Sequence, residues 1–486
     1  MNNTAELAGQ SPSVTAAAGT SLSTQVIGGL VALLDVLIIC VTSAVIHSLY
    51  VGPGDLRAAY YGTATSILAL ITVLALQVGG AYRFNAIIHP GRCVIRVVGV
   101  LLLAFLVLMI SAFALKLSDK YSRVWAFAWL FASAFLLPAG RHAVALVVRR
   151  WAARGHLSRN ILVYGGGERT DKLIEHIQRQ SEPWNRVVGV FDDRLARIGN
   201  TVAGVPVLGN LGDLIRYGQT HRSDDILVTL PWGAQERIMG IVRQLTALPV
   251  NVRLTPEFAV VDLHQRRISH QFGLPMLNVL EKPISGWGVL TKWLLDLTLG
   301  AFFVVLGAPL MALIALCIKL DSPGPVLFRQ YRYGFNQQLI GVFKFRTMHA
   351  NMTDHDADRL TQRQDPRVTR VGAILRRFGL DELPQLFNVL AGQMSIVGPR
   401  PHATQAKAGG KLYQDVVDQY AVRHKVRPGI TGWAQIHGWR GNTDTEEALV
   451  RRVEHDLYYI DNWSVLLDLR IVLRTFWVVI EGENGY

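Results

Sequence analysis

Asp381 and Glu382 stand side by side in GLDELPQLFNVLAGQMSIVGPRP, a stretch running from Gly379 to Pro401. Arg376 and Arg377 precede them by about one helical turn, and Pro399, Arg400 and Pro401 close the stretch. A second cationic string, KFRTM, contributes Lys344 and Arg346. Guanidinium forks match phosphate oxygens and keep a neighbouring carboxylate ionised. A carboxylate nucleophile with a divalent ion and several cations suits phosphoryl transfer through an aspartyl-phosphate. Taken singly, each cation reads as a solvated face, and an isolated Asp-Glu reads as an inert acid pair at a helix start. Together the groups read as a site for a multiply anionic ligand.

The surrounding elements have to point these groups at one place. Pro384 is tolerated only in a first helical turn. Leu383, Phe387 and Leu390 recur at helical spacing, so the spacing predicts a helix starting near Asp381 with both acids at its N-terminus. The dipole and free N–H groups there favour anions. Consecutive helical residues point about 100° apart. One acid can then face a reacting atom while its neighbour reaches a metal or a proton. The prolines of GPRP restrict the backbone around Arg400, and KFRTM reads as a strand. Two further charged groups stay open. Asp354 to Asp358, DHDAD, read as a solvated loop or as a metal site. His424, Lys425 and Arg427 read as phosphate or headgroup ligands or as plain fold support.

Half of the 486 residues are hydrophobic and the net charge is +13. That combination predicts a membrane domain beside soluble ones, with the basic excess directed at a membrane face or an anionic substrate. No basic-aromatic repeat points to nucleic acid. Cys40, Cys93 and Cys317 are too scattered for a disulfide framework or a metal cluster. Residues 1–22 are Ala/Ser/Thr/Gly-rich and read as a disordered tail. Apolar runs at roughly 24–50, 60–82, 94–117 and 124–148 each suffice to cross a bilayer of about 30 Å, which predicts a four-helix transmembrane domain over 23–150. The Arg-rich flanks place both ends of that block on the cytoplasmic side. Arg141 and His142 follow Pro138; the helix is expected to end or kink there and leave both at the interface, with functional polar groups inside the membrane as the alternative.

Alternating strand and helix signals through 151–280 predict a Rossmann-like α/β module. Gly165, Gly166 and Gly167 with Asp192 suggest a dinucleotide fingerprint, but Thr170 occupies the place of its last Gly; a structural or regulatory module is the favoured reading. A fifth apolar run, 293–318, contains Asp296 and Pro309. If the flanking domains face one cytosol, a single crossing is impossible. This predicts a re-entrant, Pro-broken helix over 281–320, with an ordinary spanning helix as the alternative. Residues 321–486 form the catalytic domain. The expected fold class is thus membrane α plus α/β.

From about Lys292 onward the chain resembles the bacterial polyprenyl-phosphate hexose-1-phosphate transferases, the phosphoglycosyl transferases with one membrane-dipping helix. The strings that carry the resemblance are APLMALIALCIKLDSPGPVLFRQ, KFRTM, LDELPQLFNVLAGQMSIVGPRP and HKVRPGITGWAQIHGWRG, in the family's order. The preceding block resembles the long-form members, and WRGNTDTEEALVRRVEHDLYYIDNWSVLLDLRIV is similar to the branch that transfers glucose 1-phosphate to undecaprenyl phosphate and begins exopolysaccharide assembly. The resemblance implies that Asp381 takes hexose 1-phosphate from a UDP-sugar and releases UMP. It implies that Glu382 completes the dyad and, with Asp381, the magnesium (Mg²⁺) site. Arg376 then matches a phosphate-binding residue, Pro399-Arg400-Pro401 a nucleotide-contacting motif, and Ala308-Pro309 the Ser-Pro of the helix break. Two departures stand out: Ala308 lacks the usual hydroxyl, and Gly379 stands where Ser or Thr is common. The expected partners are a UDP-sugar, undecaprenyl phosphate and the lipid bilayer, with no nucleic acid. The expected location is the bacterial inner membrane, multi-pass, with the catalytic domain facing the cytoplasm. A homodimer is a further expectation that no residue pattern carries. A membrane-bound NAD-dependent nucleotide-sugar dehydratase or epimerase would need an intact Gly fingerprint and a Tyr-x-x-x-Lys pair, and YAVRHK, Tyr420 to Lys425, has one residue too many. A non-enzymatic assembly scaffold would show a degraded dyad, and this dyad is intact.

Overall fold

The computed structural model describes residues 24–52, 58–153, 157, 159–179, 184–195, 198–231, 233–255, 268–271, 274–350, 365–402, 407–408, 410–417, 419–439 and 445–481. The chain divides into two compact units, one of residues 21–158 and one that contains Arg159–Tyr486.

The first unit is helical: α1 (Thr24–Ile46), α2 (Ala58–Val78), the short α3 (Phe84–Ile88), α4 (Val94–Ala114) and α5 (Arg123–Ala153). The four long helices fall on the four apolar runs, and each is long and apolar enough to cross a membrane. Trp125 and Trp129 stack at 4.7 Å inside the bundle. Their indole N–H groups donate to the carbonyls of Ser43 and Ile39 on α1. Helix α5 does not end at Pro138, and Arg141 does not face an interface. It is 5% exposed and pairs with fully buried Asp35 at 2.5 Å. The Tyr82 hydroxyl also donates to Asp35, and Arg141 donates to the Ala81 carbonyl. The physical reason is the cost of a lone charge away from water: Arg141 and Asp35 are each buried because the other is there. His142 faces outward, with Nδ1 2.8 Å from the Pro138 carbonyl.

The second unit begins with an eight-stranded sheet. Its strands are β1 (Arg159–Tyr164), β2 (Asn185–Phe191), β3 (Thr201–Val202), β4 (Val205–Gly209), β5 (Asp225–Val228), β6 (Asn251–Leu254), β7 (Ile268–Gln271) and β8 (Leu274–Leu280). They lie in the order β3-β4-β2-β1-β5-β6-β8-β7. The central five, β4-β2-β1-β5-β6, run parallel, and β3, β8 and β7 add antiparallel edges. Helices α6 (Glu168–Arg179), α7 (Leu211–Thr220) and α8 (Gln235–Leu245) supply the crossovers. The buried ILVY run of β1 reads as a central parallel strand should, apolar on both faces.

Next comes α9 (Trp287–Asp321), 35 residues long. The expected break at Ala308-Pro309 is not present: α9 is helical up to, across and beyond Pro309. Proline's fixed φ is compatible with a helix, and its loss is one backbone hydrogen bond and a local clash rather than obligatory termination. One face of α9 packs inward through Asp296, Gly300, Met311, Ile314 and Ile318. The opposite face leaves Leu294, Phe302, Leu306, Leu310, Leu313 and Leu320 exposed.

The elements of the C-terminal part follow: the hairpin β9 (Leu327–Tyr333) and β10 (Leu339–Phe345), α10 (Arg370–Phe378), a 3₁₀ turn Leu380–Glu382, α11 (Gln385–Leu390) and β11 (Ser395–Val397). Strand β11 pairs in parallel with Gly429–Thr431. Helices Glu446–Asp461 and Val465–Glu481 complete the domain. Its core joins Val342 of the hairpin, Leu386 and Val389 of α11, Val397, Tyr459 and Ile471. The DHDAD stretch lies outside the described residues.

Candidate active site

Thr369 caps α10, its hydroxyl accepting from the Gly372 amide at 3.0 Å. The helix stops at Gly379, which adopts a left-handed φ of +67° while its amide bonds back to Leu375 and Arg376 carbonyls. A residue without Cβ ends a helix this way at little cost. Gly379 is therefore a helix terminator, and a hydroxyl residue there would give up that advantage. The chain then makes one 3₁₀ turn carrying both acids before α11 begins after Pro384. The acids thus precede the α-helix rather than open it, because Pro384 takes the N-cap position.

The two carboxylates differ sharply. Glu382 is buried, and both its oxygens are held: Lys344 and Arg400 donate to Oε1 at 2.9 and 2.5 Å, and Arg400 donates to Oε2 at 2.8 Å. Burial alone would push Glu382 up, but Arg400 and Lys344 hold it well below the usual carboxylate range. Asp381 is half-buried and makes no hydrogen bond among the described residues. Burial raises its pKa, opposed by Lys344 and reinforced by the Glu382 charge. Burial also pushes the Lys344 ammonium down, against the attraction of Glu382. Asp381 is the carboxylate available to react, and Glu382 is the one that fixes the cations beside it.

The remaining cations sort by position. Arg376 donates to the Thr347 hydroxyl at 2.8 Å and acts electrostatically on Asp381. Arg377 lies against the Phe378 ring on the exposed side of α10. Arg346 is buried and spent elsewhere: it donates to the Ser322 and Pro323 carbonyls and the Ser322 hydroxyl, closing the end of α9. Pro399 and Pro401 are buried and offer their carbonyls, one to the Gly429 amide at 3.0 Å and one to Arg332. Residue patterns alone did not point to Arg332, nor to the layer behind Arg400. There His402 sits between Arg423 and Arg452, whose guanidinium nitrogens lie 3.0 and 3.1 Å from Nδ1 and Nε2, one of which accepts in the neutral ring. Burial and those arginines hold the ring neutral. Arg423 pairs with Asp456 at 2.7 Å and donates to the Arg400 carbonyl. His402 directly follows the PRP unit, but Arg423 and Arg452 come from distant segments with no local signature. Burial pushes His424 down to about 3. Lys425 is buried without a hydrogen bond among the described residues.

Two features test the α/β module as a cofactor site. The Gly166 amide donates to the Asp192 carboxylate at 2.7 Å. A Cβ on Gly166 would lie 2.1 Å from the Ile198 side chain. Thr170, buried, bridges the Gly165 carbonyl and the Thr229 hydroxyl.

Residues 287–482 match the family described as bacterial sugar transferase, and residues 77–256 match one described as a CoA-binding domain. The glycine loop does not fit a CoA pyrophosphate. Its amide already serves a carboxylate of the wrong sign, and a branched side chain fills the approach. Among similar proteins is an undecaprenyl-phosphate glucose phosphotransferase of Komagataeibacter xylinus, 41% identical over 68% of this chain; the match spans 60% of that protein. A UDP-glucose:undecaprenyl-phosphate glucose-1-phosphate transferase of Escherichia coli K12 is 38% identical over 76% of this chain and 77% of its own length. An Aeromonas hydrophila UDP-N-acetylgalactosamine-undecaprenyl-phosphate N-acetylgalactosaminephosphotransferase is 37% identical over 48% of this chain and 51% of its own length.

Proposed function

The chain belongs to the bacterial sugar transferase family, and from that premise we propose that it transfers a hexose 1-phosphate from a UDP-sugar to undecaprenyl phosphate. Glucose is the proposed sugar, from the names of relatives such as those of Komagataeibacter xylinus and Escherichia coli. The observation that carries the mechanism is the division of labour in the dyad: Asp381 is unengaged, while Glu382 is locked by Lys344 and Arg400.

An Asp381 oxygen attacks the sugar-linked phosphorus. The phosphoanhydride bond breaks, and UMP leaves with the bonding electron pair. A phosphate oxygen of undecaprenyl phosphate then attacks the same phosphorus, and the Asp381–phosphorus bond breaks. One phosphoanhydride replaces another, so the exchange needs no further energy source. Arg400 and Lys344, oriented by Glu382, and Arg376, oriented by Thr347, neutralise charge that builds on the transferred phosphoryl group. Asp381 would hold a magnesium ion here, since Mg²⁺ commonly takes one or two carboxylates plus phosphates. Glu382 would join that set only by exchanging one of its cations. When bound, the ion supplies further neutralisation of the diphosphate.

A one-face placement of both ends of α9 belongs to the same proposal, without the break expected at Pro309. Lys292 and Asp296 near one end bond to Asp468 and Ser395, and Ser322 past the other end accepts from Arg346. Asp296 and Ile318 are about 33 Å apart at 1.5 Å per residue. Contacts with one folded domain along that whole length support a helix seated with both ends on one face of the membrane. The exposed residues Leu466, Leu469, Leu473 and Trp477 of Val465–Glu481 extend the apolar surface. We place that face in the cytoplasm, where UDP-sugars are available.

Membranes containing the protein, given UDP-glucose, undecaprenyl phosphate and Mg²⁺, should release UMP, and Asp381→Asn should reduce release to background. Retained release in that variant would remove Asp381 as nucleophile. UDP-N-acetylgalactosamine run in parallel tests the sugar: preference for it over UDP-glucose would overturn the glucose assignment. The dehydratase alternative has no residues to stand on, since the glycine loop is filled and the Tyr-x-x-x-Lys pair is missing.

A further inference from the structure

We propose that the α/β module is a positioning element of the transferase reaction, acting through Asn336 on the hairpin that carries Lys344 and Arg332; the inference rests on the function proposed above. The tip of the β9–β10 hairpin contains two consecutive non-glycine residues with left-handed φ, Asn336 at +53° and Gln337 at +59°. Such residues persist only where their surroundings hold them, and they concentrate at functional positions. Here the surroundings are the C-terminal end of α7, in the module. The Asn336 side-chain amide, in an 8% exposed residue, donates to the Gly218 carbonyl at 2.9 Å and the Gln219 carbonyl at 3.1 Å. The last carbonyls of a helix lack partners within it, so a residue of the catalytic domain caps a helix of the module. Gln219 adds a weaker bond to Gln337 at 3.3 Å.

This anchor holds the tip. Among the described residues β9 and β10 pair only with each other, and Val342 and Phe345 of β10 seat the strand in the core. One further clamp exists in mid-strand, where Asn388 of α11 accepts from the Phe343 amide and donates to the Gly341 carbonyl. On the other flank of the tip, Tyr333 meets His424 edge to face at 5.9 Å. From these supports β10 delivers Lys344 to Glu382, and β9 delivers Arg332 to the Pro401 carbonyl. Tip, strand and reacting site form one mechanical chain. The filled glycine loop is consistent with a module whose contribution is its rigidity and not a bound cofactor.

Asn336→Gly keeps the left-handed backbone and removes the cap, and Asn336→Asp keeps a residue tolerant of that backbone but replaces the donor with an acceptor. Both are made in the full-length protein in membranes. Each should lower kcat for UMP release by about tenfold or more, as small misplacements of reacting groups do. In a Lys344→Met/Arg332→Met background the same changes should have almost no added effect, because both cations of the hairpin are already gone; full additivity would overturn the proposal. Amide hydrogen exchange needs no assumption about substrate. Protection over Leu339–Phe345 should fall at least tenfold in either variant, and unchanged protection would overturn the proposal even if wild-type protein releases no UMP. Failure of both variants to accumulate as folded protein would also overturn it, since the contact would then serve folding alone.

Discussion

At the residue scale, two adjacent carboxylates are pushed in opposite directions, which is how one site obtains two roles from one chemical group. Glu382 is held ionised by Arg400 and Lys344, and Asp381 is raised by burial. The signs give separate pH windows. Stability drawn from Glu382, whose folded pKa is depressed, is fully present above its ordinary value of 4.5 and is lost only as pH falls through the lower folded value. The proposed attack by Asp381 requires its ionised form, and burial raises its pKa above 3.8. The acid limb of kcat should therefore lie above 3.8, at a pH where circular dichroism still reports folded protein. Coincidence of the two transitions would show that the dyad is not divided in this way. The residue types in this site were legible because Asp-Glu, two Arg-rich strings and GPRP lie in short motifs. Arg332, Arg423 and Arg452 were not, since only the fold brings them to Arg400 and His402. Arg346 shows the converse limit: a cation in the right string turned to the carbonyls at the end of α9.

Among the elements, the turn between α10 and α11 decides where the acids point. Gly379, with φ of +67°, stops α10, and Pro384 starts α11 after one 3₁₀ turn. Pro384 announced a helix start in advance, since its restriction is local, but not that it would be the N-cap and leave both acids in the turn before α11. The role of Gly379 was not visible, because a glycine in sequence does not reveal the sign of its φ. Gly379→Ala forces a Cβ into the left-handed region and should destabilise the protein by about 1 kcal/mol, read as a lowered unfolding midpoint. The kcat for UMP release should fall further than that loss of stability explains, because the following residues carry Asp381. A variant that is destabilised but fully active would make the turn structural only. The α/β alternation was equally legible, from Gly-rich turns and apolar strand runs. The antiparallel β8–β7 edge was not, since nothing local distinguishes an added edge strand from a parallel one.

For the whole molecule, the question is how a soluble nucleotide and a lipid phosphate reach one carboxylate. A straight α9 of 35 residues is about 52 Å long, more than enough to cross about 30 Å of hydrocarbon. Length and composition therefore read as a spanning helix, and only its contacts argue otherwise. Asp296 accepts from the Ser395 hydroxyl and the Ile396 amide, Lys292 pairs with Asp468, and Arg346 donates to Ser322 beyond the far end. Were α9 to span, the domain providing those partners would have to occupy both membrane faces and the hydrocarbon between, with polar loops exposed to lipid, which the bilayer does not permit. In the proposed one-face seating, the exposed residues Leu306, Leu310 and Leu313 would meet lipid and the dyad would stand at the level of the headgroups. With Cys40, Cys93 and Cys317 replaced by Ser, single cysteines at Ser285 and Pro325, both exposed and flanking α9, should react with a membrane-impermeant thiol reagent in inverted vesicles and be shielded in right-side-out ones. Labelling of the two positions from opposite faces would make α9 a spanning helix and would leave the contacts at one of its ends without a partner on that side.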